Sequence, residues 1–395
     1  MKTDIARRNF MEQLAVVLGL AGLGPLELSA QGRSRQSTDA AKAALPDPKN
    51  AADYDKLVKL ANNENPYGSS EAVMKAMNDA WKYGNRYAAP DGGIVDAIAE
   101  HHHVKPENVL IGCGSSEILK VVDDAFLPDH KLVVGVDPTY ETVYRFATNS
   151  KAKAIAVPLT KTYDADMKEI IRVTKANARD VGVVYICNPN NPTGRIVPKN
   201  EIKLLLDSVP GDIPVFIDEA YHHYVDDPNY ESSVKYVIEG RKVIIARTFS
   251  KIAALAGMRL GYAVAPKEII DQLRPFLMSY NTNHIVKHGA VVALKDTATE
   301  ARIKQLNKQT RERIIGEIKT MGYEVIPSQT NYFMVNIKKD MSTVGDEFLK
   351  KGVVVGRKFP PMNEFMRVSV GTDEEMNVFM KAFKELFAVQ QSKAG

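Results

Sequence analysis

The stretch ARTFSKIAALAGMRLGY, residues 246–262, begins at the end of an apolar run that predicts a strand and contains a lysine and two arginines. It follows the apolar run 242–246 and places Lys251 behind a Thr-Phe-Ser turn, with Arg259 eight residues later. A lysine at a sheet edge forms a Schiff base with a carbonyl compound, and burial or nearby cations favour its free amine. Ser250 and Arg259 are suited to hold the phosphate of such a compound. A surface lysine followed by a helical arginine is the alternative explanation.

The bulk composition is that of an ordinary soluble globular protein. Of the 395 residues, 45% are hydrophobic and 25% are charged, and this length allows two or three domains. The net charge of +4 comes with no basic block, which argues against a nucleic-acid partner. Cys113 and Cys187 are too few for a disulfide framework. Both lie in or beside apolar runs, so we expect buried free thiols.

The first thirty residues are typical of an export signal. Arg7 and Arg8 precede an apolar, glycine-broken run over 14–26 that fits a signal-peptide core, and twin arginines before such a run address the Tat route. We therefore expect a Tat-type signal over 1–30 and a periplasmic or secreted protein. No apolar run is long enough for stable membrane insertion. A frayed N-terminal helix on a cytoplasmic protein is the alternative.

Two short segments lie between this signal and the main pattern. Residues 31–56 are polar and rich in Ala, Ser and Pro, which is typical of a linker. Residues 57–70 form an N-terminal arm that ends in the turn-rich motif NNENPYG, 62–68. Tyr67 and the asparagines of this motif are candidates to face a substrate.

Residues 71–274 alternate between apolar runs and helical segments. The runs are short, β-branched and not alternating, as strands buried on both faces should be. They cover 109–112, 131–136, 152–157, 181–187, 214–218, 242–246 and 260–265. Helical segments with caps lie between them, such as 117–127 behind Ser115. This order predicts an α/β domain with a large, doubly wound, mostly parallel seven-stranded sheet.

The pattern changes after Pro266. Helical segments dominate up to residue 322, including an amphipathic stretch over 299–321. Four short apolar runs follow at 323–326, 332–337, 352–356 and 366–370, and a last helix is predicted over 373–391. We expect residues 275–395 to form a smaller α+β C-terminal domain beside the large domain of 71–274.

Two loops that follow predicted strands are suited to bind a ligand. GCGSSE, 112–117, opens a helix, and helix N-termini bind phosphate through free backbone N–H groups and the helix dipole. Ser115 and Ser116 add hydroxyl donors. NPNNPTG, 188–194, has two prolines and a glycine that fix its backbone, so that one asparagine side chain can face a ligand oxygen. Ordinary structural turns also explain each motif by itself.

Asp218 ends a predicted strand within FIDEAY, 216–221. Ligands of open α/β sheets bind outside the carboxyl ends of the strands. A carboxylate there can keep a pyridine nitrogen protonated, which makes the ring an electron sink, and Tyr221 can hydrogen-bond the ring phenolate. Tyr140, in DPTYE after another strand, could stack on a flat cofactor. A helix N-cap for Asp218 and simple packing for Tyr140 are the alternatives.

Taken together and in order, these motifs resemble a known family. NENPYG, GCGSSE, DPTYET, NPNNPTG, FIDEAY, RTFSKIAALAGMRLGY and MRVSVGT are similar to those of fold-type I pyridoxal-phosphate enzymes, specifically class I and II aminotransferases. The closer likeness is to the histidinol-phosphate aminotransferases. The resemblance extends from about residue 57 to the C-terminus and implies the fold-type I architecture with pyridoxal 5′-phosphate as the cofactor.

The resemblance implies a role at the cofactor for each matching position. Lys251 is the Schiff-base lysine and proton shuttle, and Asp218 pairs with the pyridine nitrogen. Tyr140 stacks on the ring, while Asn191 and Tyr221 hold its 3′-oxygen. The residues that bind the cofactor phosphate are Ser115, Ser116, Ser250 and Arg259.

The resemblance also implies residues for the substrate and for assembly. Arg367, in MRVSV, takes the substrate carboxylate as a bidentate partner, and further substrate contacts fall on Tyr67, Asn191 and Arg357. Tyr87 is similar to the tyrosine that reaches the phosphate in the neighbouring subunit, which implies a homodimer.

The chain departs from the family pattern in two places. Gly356 precedes Arg357, where the family often has an arginine directly after the strand, and RYAAPDGG, 86–93, replaces a shorter RYPDP-like run. Both departures concern side-chain recognition, so histidinol phosphate and a free amino acid both stay open as substrates. The histidines 101–103 end a helix before Val-Lys-Pro, which indicates a solvated helix end, and we expect no metal.

The expected activity is amino transfer between an amino donor and a 2-oxo acid. A decarboxylase or other lyase on the same scaffold is the main alternative, because the same residues serve it. A ligand-responsive regulator with an aminotransferase-like domain is a second alternative. Such a regulator needs a basic DNA-binding module, which the N-terminal residues do not offer.

Overall fold

The strands fall into three sheets in this computed structural model, which describes residues 51–128, 130–149 and 152–387. In chain order they are β1 (Val58–Leu60), β2 (Val109–Gly112), β3 (Leu132–Asp137), β4 (Lys153–Pro158), β5 (Val181–Cys187), β6 (Val215–Asp218), β7 (Val243–Thr248), β8 (Gly261–Val264), β9 (Val325–Ile326), β10 (Tyr332–Asn336), β11 (Val353–Val355) and β12 (Phe365–Ser369).

The α-helices of the same ranges lie mostly between successive strands. They are α1 (Ala51–Asp55), α2 (Glu71–Asp79), α3 (Ile94–His102), α4 (Ser115–Phe126), α5 (Thr142–Asn149), α6 (Met167–Ala176), α7 (Lys199–Ser208), α8 (Val234–Ile238), α9 (Lys267–Leu273), α10 (His284–Ala293), α11 (Thr297–Thr320), α12 (Met341–Lys350) and α13 (Asp373–Phe387).

The large sheet has seven strands in the order β2-β8-β7-β6-β5-β3-β4. β8 runs antiparallel to both of its neighbours, and the other neighbouring strands are parallel. The predicted α/β class and the mostly parallel seven-stranded sheet are therefore confirmed. Each strand lies within about two residues of its predicted run, because continuous β-branched runs leave little freedom in where a doubly buried strand begins.

The two faces of this sheet are covered by separate apolar cores. Along β6, Ile217 belongs to one core and Phe216 to the other, and along β7 Ile245 and Ile244 divide in the same way. Side chains alternate between faces along a strand, so a run that is apolar at every position buries both faces. This explains why the strands lack the polar–apolar alternation of a half-exposed sheet.

The register of the central strands gathers three loops at one edge. Cys187 of β5 lies opposite Asp218 of β6, and Asp218 lies opposite Ala246 of β7. The chain segments that follow these strands therefore leave the sheet side by side, at the carboxyl ends where ligands bind in open α/β sheets.

A second, smaller core lies around the C-terminal strands. β12, β10 and β9 form an antiparallel sheet, while β1 pairs with β11 in parallel and brings Leu60 into this core. Helix α10 shares the core of the large sheet through Ile285 and Val286, although it follows residue 274 in the chain. The predicted domain boundaries stay predictions.

Two local expectations differ from the structure. Helix α4 begins at Ser115 rather than two residues later, and Gly114, not Ser115, is its N-cap residue, with no side-chain cap. The end of the predicted linker forms helix α1, since Ala51–Asp55 is helical. Residues 31–50 of the linker and the predicted signal lie outside the described residues. Among the described helices, none combines the length and apolar character needed to cross a membrane.

Candidate active site

A cavity of about 350 Å³ opens at the carboxyl edge of the large sheet. That volume lies within the usual range for small-molecule sites. Its lining residues are Asn62, Glu64, Ser115, Ser116, Tyr140, Cys187, Asn191, Asp218, Ala220, Tyr221, Thr248, Ser250, Lys251, Ala256, Gly257 and Arg259. A larger crevice of about 590 Å³, which Asp164 and Arg195 help to line, contains none of the predicted site residues. The predicted site residues that line a cavity are therefore all in the smaller one.

One end of the cavity is built to hold an anion. Helix α4 starts here, and Gly114, its N-cap residue, has a φ of 78°, which glycine adopts without strain. A Cβ on Gly114 would lie 2.2 Å from Nη2 of Arg259, and a Cβ on Gly261 would lie 2.4 Å from the backbone nitrogen of Ser115. Only glycine at both positions lets the helix N-terminus, β8 and the guanidinium meet. The first N–H groups of α4 and the Arg259 charge then face the same space.

Hydroxyl groups complete this anion-binding end. Nη1 of Arg259 donates to Oγ of Ser250 at 3.3 Å, and Oγ1 of Thr248 donates to the same oxygen at 2.9 Å. Glu117 stabilises the loop from the other side, because its carboxylate accepts a 2.6 Å hydrogen bond from the backbone N–H of Cys113. The predicted phosphate ligands are brought together, and Thr248 joins them.

The anion-binding end, formed by Ser115, Ser116, Ser250 and Arg259, is called the phosphate cup below. Lys251 lies in the cavity wall with this cup and Tyr221. Its ammonium donates to the backbone carbonyl of Asn62 at 3.0 Å and lies 5.4 Å above the centre of the Tyr221 ring. Burial, followed by the charge of Arg367, lowers the pKa of Lys251 to about 8. The free amine, which is the nucleophilic form, is therefore far more populated near neutral pH than in an ordinary lysine.

Asp218 lies at the floor of the cavity, at the end of β6, and is only 2% exposed. Its Oδ1 accepts a hydrogen bond of 3.0 Å from the backbone N–H of Ala220. Within the described residues, Oδ2 has one long contact, 3.5 Å from the hydroxyl of Tyr185. Burial raises the pKa of Asp218 to about 6, so this carboxylate is poised for a cationic partner.

Tyr221 and Asn191 both line the cavity, and each is held by other residues. The hydroxyl of Tyr221 accepts a hydrogen bond of 3.0 Å from Nδ2 of Asn63, and its ring packs edge-on against Tyr332 at 5.0 Å. Burial raises the pKa of Tyr221, which keeps its hydroxyl a donor at neutral pH. Oδ1 of Asn191 accepts from Arg367 at 2.7 Å. Tyr140 also lines the cavity.

Arg367 lies directly behind Asn191 and is buried. Its two terminal nitrogens donate to Asn191 and to the backbone carbonyl of Ala61. Its Nε is buried and has no hydrogen-bond partner among the described residues. An unpaired buried donor is costly, and a carboxylate brought beside it would satisfy it.

The other three predicted residues, like Arg367, lie outside the cavity lining. Tyr67 packs in an apolar cluster with Tyr221, Tyr332 and their neighbours. Arg357 forms an ion pair of 2.9 Å with Glu141. Tyr87 is 83% exposed, and the ring of Tyr280 meets it edge-on at 5.4 Å.

Several lining residues were not singled out from the sequence. The sequence places Thr248 only in the turn before Lys251 and Glu64 only in a turn-rich motif, whereas Asn62 is among the asparagines predicted to face a substrate. Asn63 could not be assigned to Tyr221, because 158 residues separate them in the chain. Repeated asparagines in an early loop were the available signal, and the structure uses them to hold Lys251 and Tyr221.

The prediction of a solvated helix end is wrong for His102, which is buried because its ring packs against and hydrogen-bonds a core tyrosine. His102 is the last residue of α3, and its Nε2 lies 2.8 Å from the hydroxyl of Tyr262. Among the described residues, no group of His, Cys, Asp or Glu is arranged to hold a metal ion.

The site residues fit a phosphate-bearing pyridine aldehyde. The cup at α4 suits a phosphate, and the free amine of Lys251 suits the aldehyde carbon. Oδ2 of Asp218, with its single long contact, suits a protonated ring nitrogen.

Comparison with known proteins agrees with this geometry. Residues 55–383 match the family of class I and II aminotransferases. The chain belongs to the class I and II aminotransferases. It is 36% identical over 340 residues to the histidinol-phosphate aminotransferase of Caldicellulosiruptor saccharolyticus, which covers 84% of this chain and 92% of that protein. It is also 36% identical over 339 residues to the histidinol-phosphate aminotransferase of Moorella thermoacetica, a match that covers 84% of this chain and 86% of that protein.

A solved structure shows the same fold. The crystal structure of histidinol-phosphate aminotransferase from Sinorhizobium meliloti, in complex with pyridoxal-5′-phosphate, superposes with a TM-score of 0.79. It shares 24% sequence identity and covers 92% of this chain and 99% of that chain. As an aminotransferase of this family, the protein uses pyridoxal 5′-phosphate as its cofactor, and the predicted architecture of fold type I is confirmed.

Proposed function

We propose that the protein transfers the amino group of an amino acid to a 2-oxo acid in the cavity at the carboxyl edge of the large sheet. The observation that carries this proposal is the presence of Lys251 and Asp218 in one cavity, with pKa values of about 8 and about 6. Both groups are shifted by burial toward neutral pH, where a base and a cation-binding carboxylate are both needed.

The cofactor and the protein divide the chemistry. Bound pyridoxal phosphate supplies a carbonyl for amine exchange and a ring that accepts electrons from the substrate Cα. Asp218 holds a proton on the ring nitrogen, and Tyr221 and Asn191 orient the ring oxygen. The amine of Lys251 would take the proton from the substrate Cα, and the resulting ammonium would return it to the aldehyde carbon of the cofactor. Arg367 fixes the substrate carboxylate through its unpartnered Nε.

The same guanidinium accepts more than one kind of anion. A carboxylate and a phosphate monoester each offer two anionic oxygens that an arginine can bind through parallel hydrogen bonds. The relatives are named for histidinol phosphate, and we propose this compound and free amino acids as candidate amino donors. An aromatic amino acid fits an enzyme exported from the cytoplasm, where histidine synthesis takes place.

A donor panel tests the activity. The purified protein, loaded with cofactor, is incubated with histidinol phosphate and with aromatic, aliphatic and acidic amino acids, with and without 2-oxoglutarate. An aminotransferase produces glutamate only when donor and 2-oxoglutarate are both present. Release of carbon dioxide or another fragment without the acceptor contradicts amino transfer and establishes a lyase.

We also propose that the active form is a homodimer. Tyr87, Tyr280 and Met278 are each more than 70% exposed, and exposed apolar groups of this size often mark an interface. Asn281 bonds to Glu117 on α4, so this surface adjoins the helix that starts at the phosphate cup. A second subunit placed here would bring Tyr87 toward a phosphate that is not its own.

Export through the Tat route is proposed from the N-terminal residues alone. Tat carries folded proteins, which suits an enzyme that binds its cofactor before it leaves the cytoplasm. Residues 1–31 fused to a folded reporter should reach the periplasm only in Tat-competent cells. Arg7→Lys with Arg8→Lys should retain the reporter, and retention of the unchanged fusion contradicts the proposal.

A further inference from the structure

An ion pair next to a residue of the cavity lining has no part in the mechanism above. Nη2 of Arg357 is 2.9 Å from Oε1 of Glu141, and the two side chains are 27% and 44% exposed. Glu141 follows Tyr140, which lines the cavity. The pair is therefore open to solvent and adjoins the cavity lining through Tyr140.

Contacts connect this pair to the substrate-binding arginine. The guanidinium of Arg357 lies 4.3 Å above the centre of the Phe359 ring, and the guanidinium of Arg367 lies 4.7 Å from the same centre. Arg367 in turn bonds to Asn191, which lines the cavity. The chain of contacts thus runs from the cavity through Arg367, Phe359 and Arg357 to Glu141, and returns to the cavity at Tyr140.

Glu141 balances one of two neighbouring positive charges along this chain of contacts. Arg357 and Arg367 share one aromatic ring, so two positive charges lie close together at this end of the cavity. Glu141 neutralises the outer one. Near Glu141, an incoming substrate then meets the guanidinium of Arg367, which its own carboxylate uses. A second anionic group on the substrate must compete with Glu141 for Arg357.

We propose that Glu141 determines substrate specificity by occupying Arg357, so that the resting site favours carboxylates with uncharged side chains over dianionic substrates. Substrates with a second carboxylate or a phosphate bind by displacing Glu141 from Arg357. The inference rests on the proposed amino transfer and specifies the substrate class of that same site.

The test compares two acceptors of similar size and different charge. 2-Oxoglutarate carries a second carboxylate, and 4-methyl-2-oxopentanoate carries an uncharged branched chain. Glu141→Gln should raise kcat/KM for 2-oxoglutarate about three- to fivefold, the scale of a partly exposed ion pair. Most of the change should be in KM. The value for 4-methyl-2-oxopentanoate should stay within about twofold.

A second variant separates competition from a general structural effect. Arg357→Gln should lower kcat/KM for 2-oxoglutarate selectively, and Glu141→Gln added to it should then change nothing further. Glu169→Gln is the matched control, because Glu169 bonds to Arg172 on the surface of α6 at 2.6 Å. It should leave the ratio of the two acceptors unchanged.

Two outcomes overturn the proposal. One is an unchanged acceptor ratio in Glu141→Gln, and the other is the same change with and without Arg357. If the unaltered protein transfers amino groups to neither acceptor from any donor, the proposed function itself fails. If it transfers them and Glu141→Gln leaves the ratio unchanged, only the role of Glu141 is refuted.

Discussion

Arg367 donates a hydrogen bond of 2.7 Å from its Nη1 to Oδ1 of Asn191. Arg367 comes from β12 of the small sheet, whereas Asn191 comes from the loop after β5 of the large sheet. This bond joins the predicted carboxylate-binding residue to a residue predicted to hold the cofactor. Substrate binding and cofactor orientation are therefore coupled through one contact between the two parts of the fold.

Replacing Arg367 tests the substrate end of the site. Arg367→Lys keeps a positive charge but removes the planar fork that a carboxylate matches. We expect KM for the amino donor to rise about ten- to a hundredfold, the range of one or two charge-assisted hydrogen bonds. Cofactor absorbance reports that the site stays assembled. Arg172→Lys, on the surface of α6, is the matched control, and an unchanged KM in Arg367→Lys refutes the role.

Replacing Asp218 tests the cofactor end. Asp218→Asn retains an oxygen for the Ala220 N–H but loses the charge that keeps the ring nitrogen protonated. We expect the variant to bind the cofactor and to lose amino transfer by about a hundredfold or more, as in other losses of electrostatic stabilisation. Asp212→Asn, at an exposed position before β6, should keep full activity. Near-normal turnover in Asp218→Asn would contradict the assignment.

The pKa of Lys251 predicts a pH dependence of the apoprotein. This pKa is lowered from 10.5 to about 8 in the folded chain, with burial as the main cause. Between those values the unfolded chain binds more protons, so this group makes folding more favourable as the pH rises from 8 to 10.5. Denaturant titrations of the apoprotein at pH 7.5 and 9.5 should show this gain, and Lys251→Met should lack it. An equal pH response in both proteins contradicts the lowered pKa.

The strands of the large sheet could be predicted closely from sequence. Runs such as Val181–Cys187 are apolar at every position, and only a strand buried on both faces, or a buried helix, accommodates that. Helical segments separate these runs, and this alternation favoured strands over buried helices. The phosphate cup and Lys251 were predictable for a related reason, since a ligand site in such a sheet lies where the strands end.

Contacts between distant parts of the chain could not be predicted in this way. β1 pairs with β11 almost three hundred residues later, and a three-residue strand carries no mark of its partner. The resemblance placed Arg357 among the substrate contacts, but its pairing with Glu141 depends on how two loops approach each other. The start of α4 at Ser115 depends on the backbone of Gly114, which no pattern of apolar residues reports.

The exposed position of Tyr87 allows a test of shared sites in a dimer. Tyr87→Phe chains are mixed with an excess of Lys251→Ala chains, so that nearly every Tyr87→Phe chain has a Lys251→Ala partner. If Tyr87 serves the neighbouring site, the site that keeps Lys251 regains an intact tyrosine. Activity per Tyr87→Phe chain should then rise toward that of the unaltered protein.

The control for this experiment uses Lys251→Ala chains that also carry Tyr87→Phe, which cannot supply the tyrosine and should give no rise. Sedimentation should show a dimer that loosens when the cofactor is removed, because a ligand that binds the dimer stabilises it by mass action. A monomer, or mixed chains that stay at the level of Tyr87→Phe alone, refutes the shared site.

Borohydride reduction followed by peptide mapping tests the central claim most directly. The holoprotein is reduced with and without prior addition of the amino donor, and the cofactor label is located by mass spectrometry. Without donor, the label should be on Lys251, because its amine lies in the cavity with Asp218 and the phosphate cup. With donor, Lys251 should be released and the label should leave the chain with the substrate. A label on any other lysine, or a label on Lys251 that the donor does not remove, would contradict the account.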